Sequence, residues 1–272
     1  MALRSTLPFV LLLGAACGRS ADAAPSAPSD GSRMARDARI AFLHHSTGGL
    51  VWNAGVPAFI QSWNGAHGTG YRITQVTYPA TTGGYPWANY PYDYWTLWVD
   101  AAGSTRVLGE SNLDDLVAAY DVVVFKHCFP VSAIGPDTGA PSVASSARTL
   151  ENYRLQYEAL KTRLHQYPSK RFLVWTGAAL AEAATSPEQA TRARAFFDWV
   201  KGTWDEPGDN VFVWDFREIE TGGGLYLQPG YATSATDSHP NATLSALAAP
   251  LVGRRIVDVV EGRGDSGSLT GR

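Results

Sequence analysis

The chain of 272 residues is poor in cysteine and has only two, Cys17 and Cys128. Cys17 lies in an N-terminal segment that we expect to be cleaved or lipidated during export. Cys128 would then have no partner, so no internal disulfide is predicted. The fold must therefore be stabilised by its hydrophobic core, for which a chain of this length is large enough.

The sequence also lacks an excess of positive charge. It has 22 lysines and arginines against 25 aspartates and glutamates, a formal net charge of -3 at pH 7. A nucleic-acid-binding surface needs a basic field to neutralise phosphates, so nucleic acid is excluded as a partner. A content of 45% hydrophobic and 17% charged residues is typical of a globular protein.

No hydrophobic run is long enough to span a bilayer. The apolar residues 7–16 follow Arg4 and precede small residues, which is typical of a secretory signal, and we assign 1–24 to it. Ala21-Asp22-Ala23 resembles a signal-peptidase site. Residues 12–17 resemble a bacterial lipobox, which would make Cys17 a lipid anchor and the only membrane contact. Either route predicts an exported protein that is periplasmic, on the outer surface or secreted.

Composition divides the rest of the chain into three parts. Residues 25–37, rich in alanine, serine and proline, predict a flexible linker. Residues 38–262 show neither an internal repeat nor a second composition shift, which indicates one domain and, we expect, a monomer. Residues 263–272 are polar and glycine-rich and are predicted to be a disordered tail.

Short β-rich runs alternate with amphipathic runs, which predicts an α/β domain with a mostly parallel sheet. Five strands are expected, at 39–45, 71–78, 121–127, 171–176 and 210–215. Apolar residues at helical spacing predict a helix over 150–164. Ser186 opens a second helix that ends near Trp204, and Asn241 caps the last one.

Candidate chemistry begins with the stretch FLHHSTGGL, residues 42–50. Ser46 ends the first predicted strand, where ligands collect in an open α/β sheet, and Gly48 and Gly49 allow a sharp bend. The hydroxyl could be a nucleophile exposed at the turn, or it could cap the following helix. Taken alone, the motif favours the cap.

A second motif stands just before the last helix. Asp237 and His239 are two residues apart, so an extended backbone puts both side chains on one side, and Pro240 favours that backbone. A carboxylate beside an imidazole fixes its tautomer and stabilises its protonated form. The other interpretation is an Asx turn followed by a surface histidine.

Together these motifs resemble the SGNH/GDSL hydrolase superfamily. The resemblance rests on Ser46 after the first strand, a glycine after the second, and Asp237-x-His239-Pro-Asn before the last helix. It implies a three-layer, flavodoxin-like α/β/α fold with Ser46 as nucleophile, His239 as base and Asp237 as the orienting acid. Two features depart from the usual pattern. His44-His45 replaces the usual Gly-Asp, and the short Asp-x-His spacing resembles that of O-acetyl-transfer relatives.

The resemblance also implies an oxyanion hole. Its donors would be the N–H groups of Ser46 and Gly83 and an asparagine after the third strand. That strand ends in FKHCFP and has no asparagine, so His127 is our candidate substitute, with Lys126 or a main-chain amide as alternatives. Losing one donor costs about 10²–10³ in rate, so a substitute is needed.

The implied function is that of an exported serine esterase or acyl transferase, acting on O-acetyl groups of a carbohydrate without cofactor or metal. Trp87, Tyr90 and Trp95 lie in an aromatic loop and are candidate sugar-binding residues. The other interpretation is that these rings pack as the core of the loop itself.

Two rival functions belong to other classes. A metal-dependent hydrolase could use the strand-end side chains His44, His45, His127, Asp237 and His239, since zinc needs only three or four ligands. Adjacent strand residues face opposite ways, which argues against His44 and His45 ligating together. The missing asparagine would also suit an inactive carbohydrate-binding protein on the same scaffold.

Overall fold

The computed structural model describes residues 32–80, 87–103 and 106–272. All five predicted strands form, and they are slightly shorter than the sequence pattern indicates. They are β1 (Arg39–His44), β2 (Arg72–Thr77), β3 (Val122–Phe125), β4 (Arg171–Trp175) and β5 (Val211–Trp214). Every pairing is parallel, and the strand order is β2-β1-β3-β4-β5.

Helices connect the strands. They are α1 (Thr47–Asn53), α2 (Val56–His67), α3 (Pro91–Trp95), α4 (Leu113–Ala119), α5 (Leu150–Leu164), α6 (Pro187–Trp199), α7 (Phe216–Thr221) and α8 (Ala242–Val260). The α6 helix continues as one wider turn to Trp204. The Ser186 and Asn241 side chains cap α6 and α8 by accepting main-chain N–H groups, as predicted.

The sheet lies between two helical layers, each with its own apolar core. Val123 and Phe125 of β3 face a core shared with α3, α4, α5 and α6, whereas Val122 and Val124 face a core shared with α1, α2, α7 and α8. The period-two alternation of strand side chains therefore fills both cores. The predicted three-layer α/β/α fold with a five-stranded parallel sheet is confirmed.

The strand order positions the site. In the order β2-β1-β3-β4-β5 the direction of chain progression reverses between β1 and β3. A crevice forms beyond the carboxyl ends of the strands at such a switch point, and ligands of doubly wound folds bind there. Ser46 follows β1 and Cys128 follows β3, so both lie at the edge of this crevice.

Two boundary predictions are wrong. The segment 263–272 is packed against the domain, because the Leu269 carbonyl accepts from Asp215 N–H at 2.8 Å and the Thr270 carbonyl accepts from Trp214 Nε1–H at 3.1 Å. The described end of the expected linker is also held, since Met34 N–H donates to the Val260 carbonyl at 2.9 Å. The predicted signal and Cys17 lie outside the described residues. Over the described part of the chain, no helix has the length and apolar character needed to cross a membrane.

Candidate active site

Ser46 occupies a strained turn between β1 and α1. Its φ is +50° and its ψ is -113°, a backbone conformation that non-glycine residues rarely adopt and that costs of order 1–3 kcal/mol. Its side chain makes no capping hydrogen bond to α1. The hydroxyl instead hydrogen-bonds Nε2 of His239. The capping interpretation of Ser46 is therefore wrong.

His239 is held by its own loop. Its Nδ1–H and its main-chain N–H both donate to Oδ1 of Asp237, at 2.6 and 3.0 Å. The His239 carbonyl accepts from the N–H and the hydroxyl of Thr233, and the Ser234 hydroxyl accepts from Asp237 N–H at 3.0 Å. The Phe129 ring stands edge-on to the imidazole at 5.0 Å. These contacts fix the orientation of the ring.

Asp237 is a carboxylate stabilised by hydrogen bonds. The His239 main-chain N–H, followed by its side chain, lowers the pKa of the Asp237 carboxyl. An ionised acceptor at Nδ1 leaves Nε2 as the atom that can take a proton from Ser46. Hydroxyl, imidazole and carboxylate therefore stand in the order needed to activate a nucleophile.

Glycine is required where α1 approaches the end of β1. A Cβ atom on Gly48 would lie 2.5 Å from Cβ of His44 and 3.0 Å from Cδ of Lys126, whereas one on Gly49 would lie 3.3 Å from the His44 ring. Both approaches are closer than ordinary van der Waals contact, and the one at Gly48 is prohibitive. The absence of a side chain at Gly48 lets the turn at Ser46 sit directly on the strand.

The prediction for His127 as an oxyanion donor is wrong. Its side chain is fully buried in the layer of α5, where Nε2 pairs with the Tyr157 hydroxyl at 2.9 Å and Tyr94 packs edge-on at 4.8 Å. Burial lowers the pKa of His127 to about 3. Strand alternation sends His127 to this layer and its neighbour Lys126 to the opposite layer, beside α1.

The other predicted oxyanion donors are the N–H groups of Ser46 and Gly83 and the side chain of Lys126. The main-chain N–H of Ser46 has no acceptor among the described residues. Gly83 lies outside the described residues. Lys126 Nζ donates to the His45 carbonyl at 3.3 Å and so lies next to the nucleophile turn.

Asn89 is a further residue at this edge of the sheet that the sequence motifs do not indicate. This buried residue comes from the loop after β2, yet its carbonyl accepts from Cys128 N–H at 2.7 Å at the end of β3. Its Nδ2 donates to the Tyr78 carbonyl at 3.1 Å, and its φ is +58°. An asparagine therefore does stand beside the end of β3, supplied from elsewhere in the chain. The one local signal is that asparagine tolerates positive φ better than most residues.

The aromatic loop is mostly core. Trp87 and Tyr90 are buried, and the Tyr90 hydroxyl donates to the Ser146 carbonyl at 2.9 Å. Their assignment as sugar-binding residues is wrong, because buried ring faces cannot stack on a sugar. Trp95 is half-buried and stacks on Tyr92 at 5.8 Å. The alternative interpretation, in which the loop packs its own rings, describes Trp87 and Tyr90.

The strand-end histidines do not converge on a metal. His44 Nε2 pairs with Gln75 Oε1 at 3.3 Å, His45 Nε2 contacts the Pro79 carbonyl, and His127 faces Tyr157. Within residues 32–80, 87–103 and 106–272, no three His, Cys, Asp or Glu side chains are grouped as metal ligands. The zinc interpretation has no geometric support in this region.

A cleft of about 780 Å³ adjoins the loop that carries Asp237 and His239. Its walls are residues 181–183, which follow β4, and residues 224–229 and 232–235. Thr233 and Ser234, which hold His239 and Asp237, are part of its lining. The volume falls in the range of small-molecule sites. The histidine and aspartate side chains are 37% and 45% exposed, so the site is open.

No profile of a known protein family matches the chain, and no curated protein matches it. Solved structures similar to it include the following two. An acetyl xylan esterase is 15% identical with a TM-score of 0.44, and the match covers 78% of this chain and 95% of that one. A "putative acylhydrolase" from Bacteroides fragilis NCTC 9343 is 13% identical with a TM-score of 0.45, and the match covers 85% and 92%. Both similarities are weak, and the fold is defined by the strand order and the site by its own geometry.

Proposed function

We propose that the protein is a serine-dependent ester hydrolase or acyl transferase. The observation that carries this proposal is the hydrogen-bonded series from the Ser46 hydroxyl through His239 to Asp237. The strained backbone of Ser46 supports it, because strain of this kind persists where function requires a particular geometry.

The proposed reaction runs through an acyl-enzyme. Ser46 Oγ attacks the ester carbonyl while His239 Nε2 takes the hydroxyl proton, and the Asp237 carboxylate stabilises the imidazolium. The tetrahedral intermediate then collapses, the carbon–oxygen bond to the leaving group breaks, and His239 protonates the departing alkoxide. Water, or a hydroxyl of an acceptor, resolves the acyl-enzyme by the same steps in reverse.

The oxyanion would be held by main-chain donors. The Ser46 N–H is the first, since no described residue accepts a hydrogen bond from it. The Gly83 N–H is proposed as the second. Donors of this kind act on charge that develops only in the transition state, and each contributes about 10²–10³ in rate.

The proposed substrate is a small acyl group, such as acetyl, on a large polar molecule such as a polysaccharide. An open triad accommodates a bulky leaving group, and the adjoining cleft, with Gln228 and Thr233 in its lining, offers polar groups to hold it. Export, predicted from the N-terminal residues, would bring the enzyme to extracellular carbohydrate.

Covalent labelling with a fluorophosphonate tests the proposal. The mature protein should acquire one adduct, located on Ser46 by peptide mapping, and a chelator should not affect the labelling. The matched variants are Ser46→Ala, which removes the acceptor atom, and His239→Ala, which removes the base. Rapid labelling of the Ser46→Ala variant, or labelling of His239→Ala at the wild-type rate, would reject the triad.

The acyl preference is tested separately with aryl esters of increasing chain length and with acetylated polysaccharide. We expect acetyl esters to have the highest kcat/KM and acetate to be released from the polysaccharide. A preference for long acyl chains would reject the substrate class and leave the serine mechanism standing.

A further inference from the structure

Lys126 is a buried lysine beneath the nucleophile turn. Its side chain is 3% exposed and its stem packs against Gly48. The ammonium donates to the His45 carbonyl at 3.3 Å and contacts Cys128 Sγ at 3.5 Å. No carboxylate of the described residues forms an ion pair with it. A lysine is almost never buried in this way without a compensating charge.

The Lys126 ammonium donates to the peptide group that joins His45 to the nucleophile Ser46. The His45 carbonyl belongs to the same peptide as the Ser46 N–H, and it also accepts from Gly48 N–H at 2.9 Å. Resonance links the two ends of a peptide group, so withdrawing electron density at the oxygen makes the N–H a stronger donor. That N–H has no acceptor among the described residues.

We propose that Lys126 is a positioning residue that polarises the peptide between His45 and Ser46, so that the Ser46 N–H holds the oxyanion strongly. This inference rests on the proposed serine mechanism. It adds no covalent step, because Lys126 neither gives nor takes a proton and does not touch the substrate. It also provides a physical route by which this chain strengthens a main-chain oxyanion donor.

The groups around Lys126 determine whether its charge can act on the peptide between His45 and Ser46. The carboxyl that interacts electrostatically with it is that of Glu220, and burial raises the pKa of Glu220 to about 8, so that group is largely neutral at pH 7. Burial lowers the pKa of Lys126 itself, and the neighbouring Cys128 opposes that shift. A purely structural side chain at this place could be apolar, and a buried charge replaced by an apolar group of similar shape often leaves stability unchanged.

Lys126→Met is the primary test, since methionine has a similar length and no charge. Wild type and variant are compared by kcat and KM on p-nitrophenyl acetate, and by inhibition with phenylboronic acid, which forms an anionic tetrahedral adduct on a reactive serine. We expect kcat to fall about 10-fold to 100-fold, less than the roughly 10²–10³ that follows complete loss of a donor, because the Ser46 N–H is weakened and not removed. KM should change less than about twofold, and boronate affinity should fall by the same factor as kcat.

Lys170→Met is the matched control. Lys170 Nζ also donates to a main-chain carbonyl, that of Tyr120 at 2.9 Å just before β3, and pairs with Asp121 at 3.2 Å, but at the opposite, amino edge of the sheet. The Lys170→Met variant should have the same kcat and boronate affinity as wild type. If Lys126→Met is not folded, Lys126→Gln is measured in the same way, with the same expected loss.

The outcomes separate the two proposals. If wild type reacts with fluorophosphonate at Ser46 but Lys126→Met keeps its kcat and boronate affinity, this inference is overturned and the serine mechanism stands. Equal losses of kcat and ground-state binding, or loss of fold in both variants, would give Lys126 a structural role and overturn it as well. A wild-type protein with no reactive Ser46 would overturn both.

Discussion

Ser46 and His239 are hydrogen-bonded through Oγ and Nε2 although 193 positions separate them in the chain. The contact exists because β1 and the loop before α8 both end at the carboxyl edge of a parallel sheet. Parallel topology collects residues from distant parts of a chain at that edge, and the switch point between β1 and β3 leaves room there for a substrate.

The strained backbone of Ser46 predicts that activity is gained at the cost of stability. Replacing Ser46 with glycine should abolish ester turnover and yet give a more stable protein than Ser46→Ala, by about 1 kcal/mol. Glycine relieves a strain of about 1–3 kcal/mol at φ +50° and costs only about 0.5–1 kcal/mol of extra chain entropy. Denaturant unfolding of both variants measures the difference. Equal stabilities would mean that the turn is not strained.

Asp237 should matter for rate rather than for folding. Asp237→Asn keeps an oxygen acceptor near Nδ1 but loses the charge that stabilises the imidazolium, so kcat should fall by about 10²–10⁴ with little change in KM. Asp37→Asn is the control, since Asp37 forms an exposed ion pair with Arg72 at 3.8 Å. Steady-state kinetics on an acetyl ester checks the prediction. An unchanged kcat would show that His239 is oriented without the carboxylate.

The two glycines of α1 should respond differently to alanine. Gly48→Ala forces a Cβ to within 2.5 Å of His44 Cβ, and we expect a loss of about 1–3 kcal/mol of stability together with slower labelling of Ser46. Gly49→Ala meets its nearest atom at 3.3 Å and gains up to about 1 kcal/mol of helix propensity, so it should be near neutral. Thermal unfolding and labelling rates test both. Similar effects from the two variants would contradict the close packing of α1 on β1.

Glu220 predicts a pH dependence of stability. Its Oε2 accepts from Ala179 N–H at 2.8 Å, and its Oε1 has no hydrogen-bond partner among the described residues. Burial raises the pKa of this carboxyl to about 8. The folded state then binds more protons than the unfolded state between about pH 4.5 and 8, so stability falls as pH rises through that window, by up to about 1.4 kcal/mol per unit.

Glu220→Gln isolates this contribution. The variant should gain stability relative to wild type on going from pH 5 to pH 8, as measured by denaturant unfolding at each pH. Asp205 and Asp93, whose pKa values burial raises to about 7 and about 6, contribute in the same direction in both proteins and cancel in the comparison. A difference that stays constant with pH would mean that Glu220 is ionised in the fold.

Local patterns predicted much of the architecture. Continuous apolar runs such as those of β3 and β4 identify strands covered on both faces, and the caps at Ser186 and Asn241 identify helix starts, because each signal is contained in a few neighbouring residues. The pair Asp237 and His239 is also a local signal, because the two residues are neighbours in one loop. Two residues of one short loop meet whatever the rest of the chain does.

Long-range packing decided what these patterns left open. Alternation predicts that Lys126 and His127 face opposite ways, but only the placement of α1 and α5 determines which of them lies under the nucleophile. Hydrophobicity cannot distinguish an aromatic loop that binds sugar from one that packs as core, and burial assigns Trp87 and Tyr90 to the core. The sequence by itself determined the strands, the caps and the Asp237–His239 pair. The tertiary structure alone decided that Ser46 meets His239, because that contact depends on the free energy of packing the whole sheet and its two helical layers.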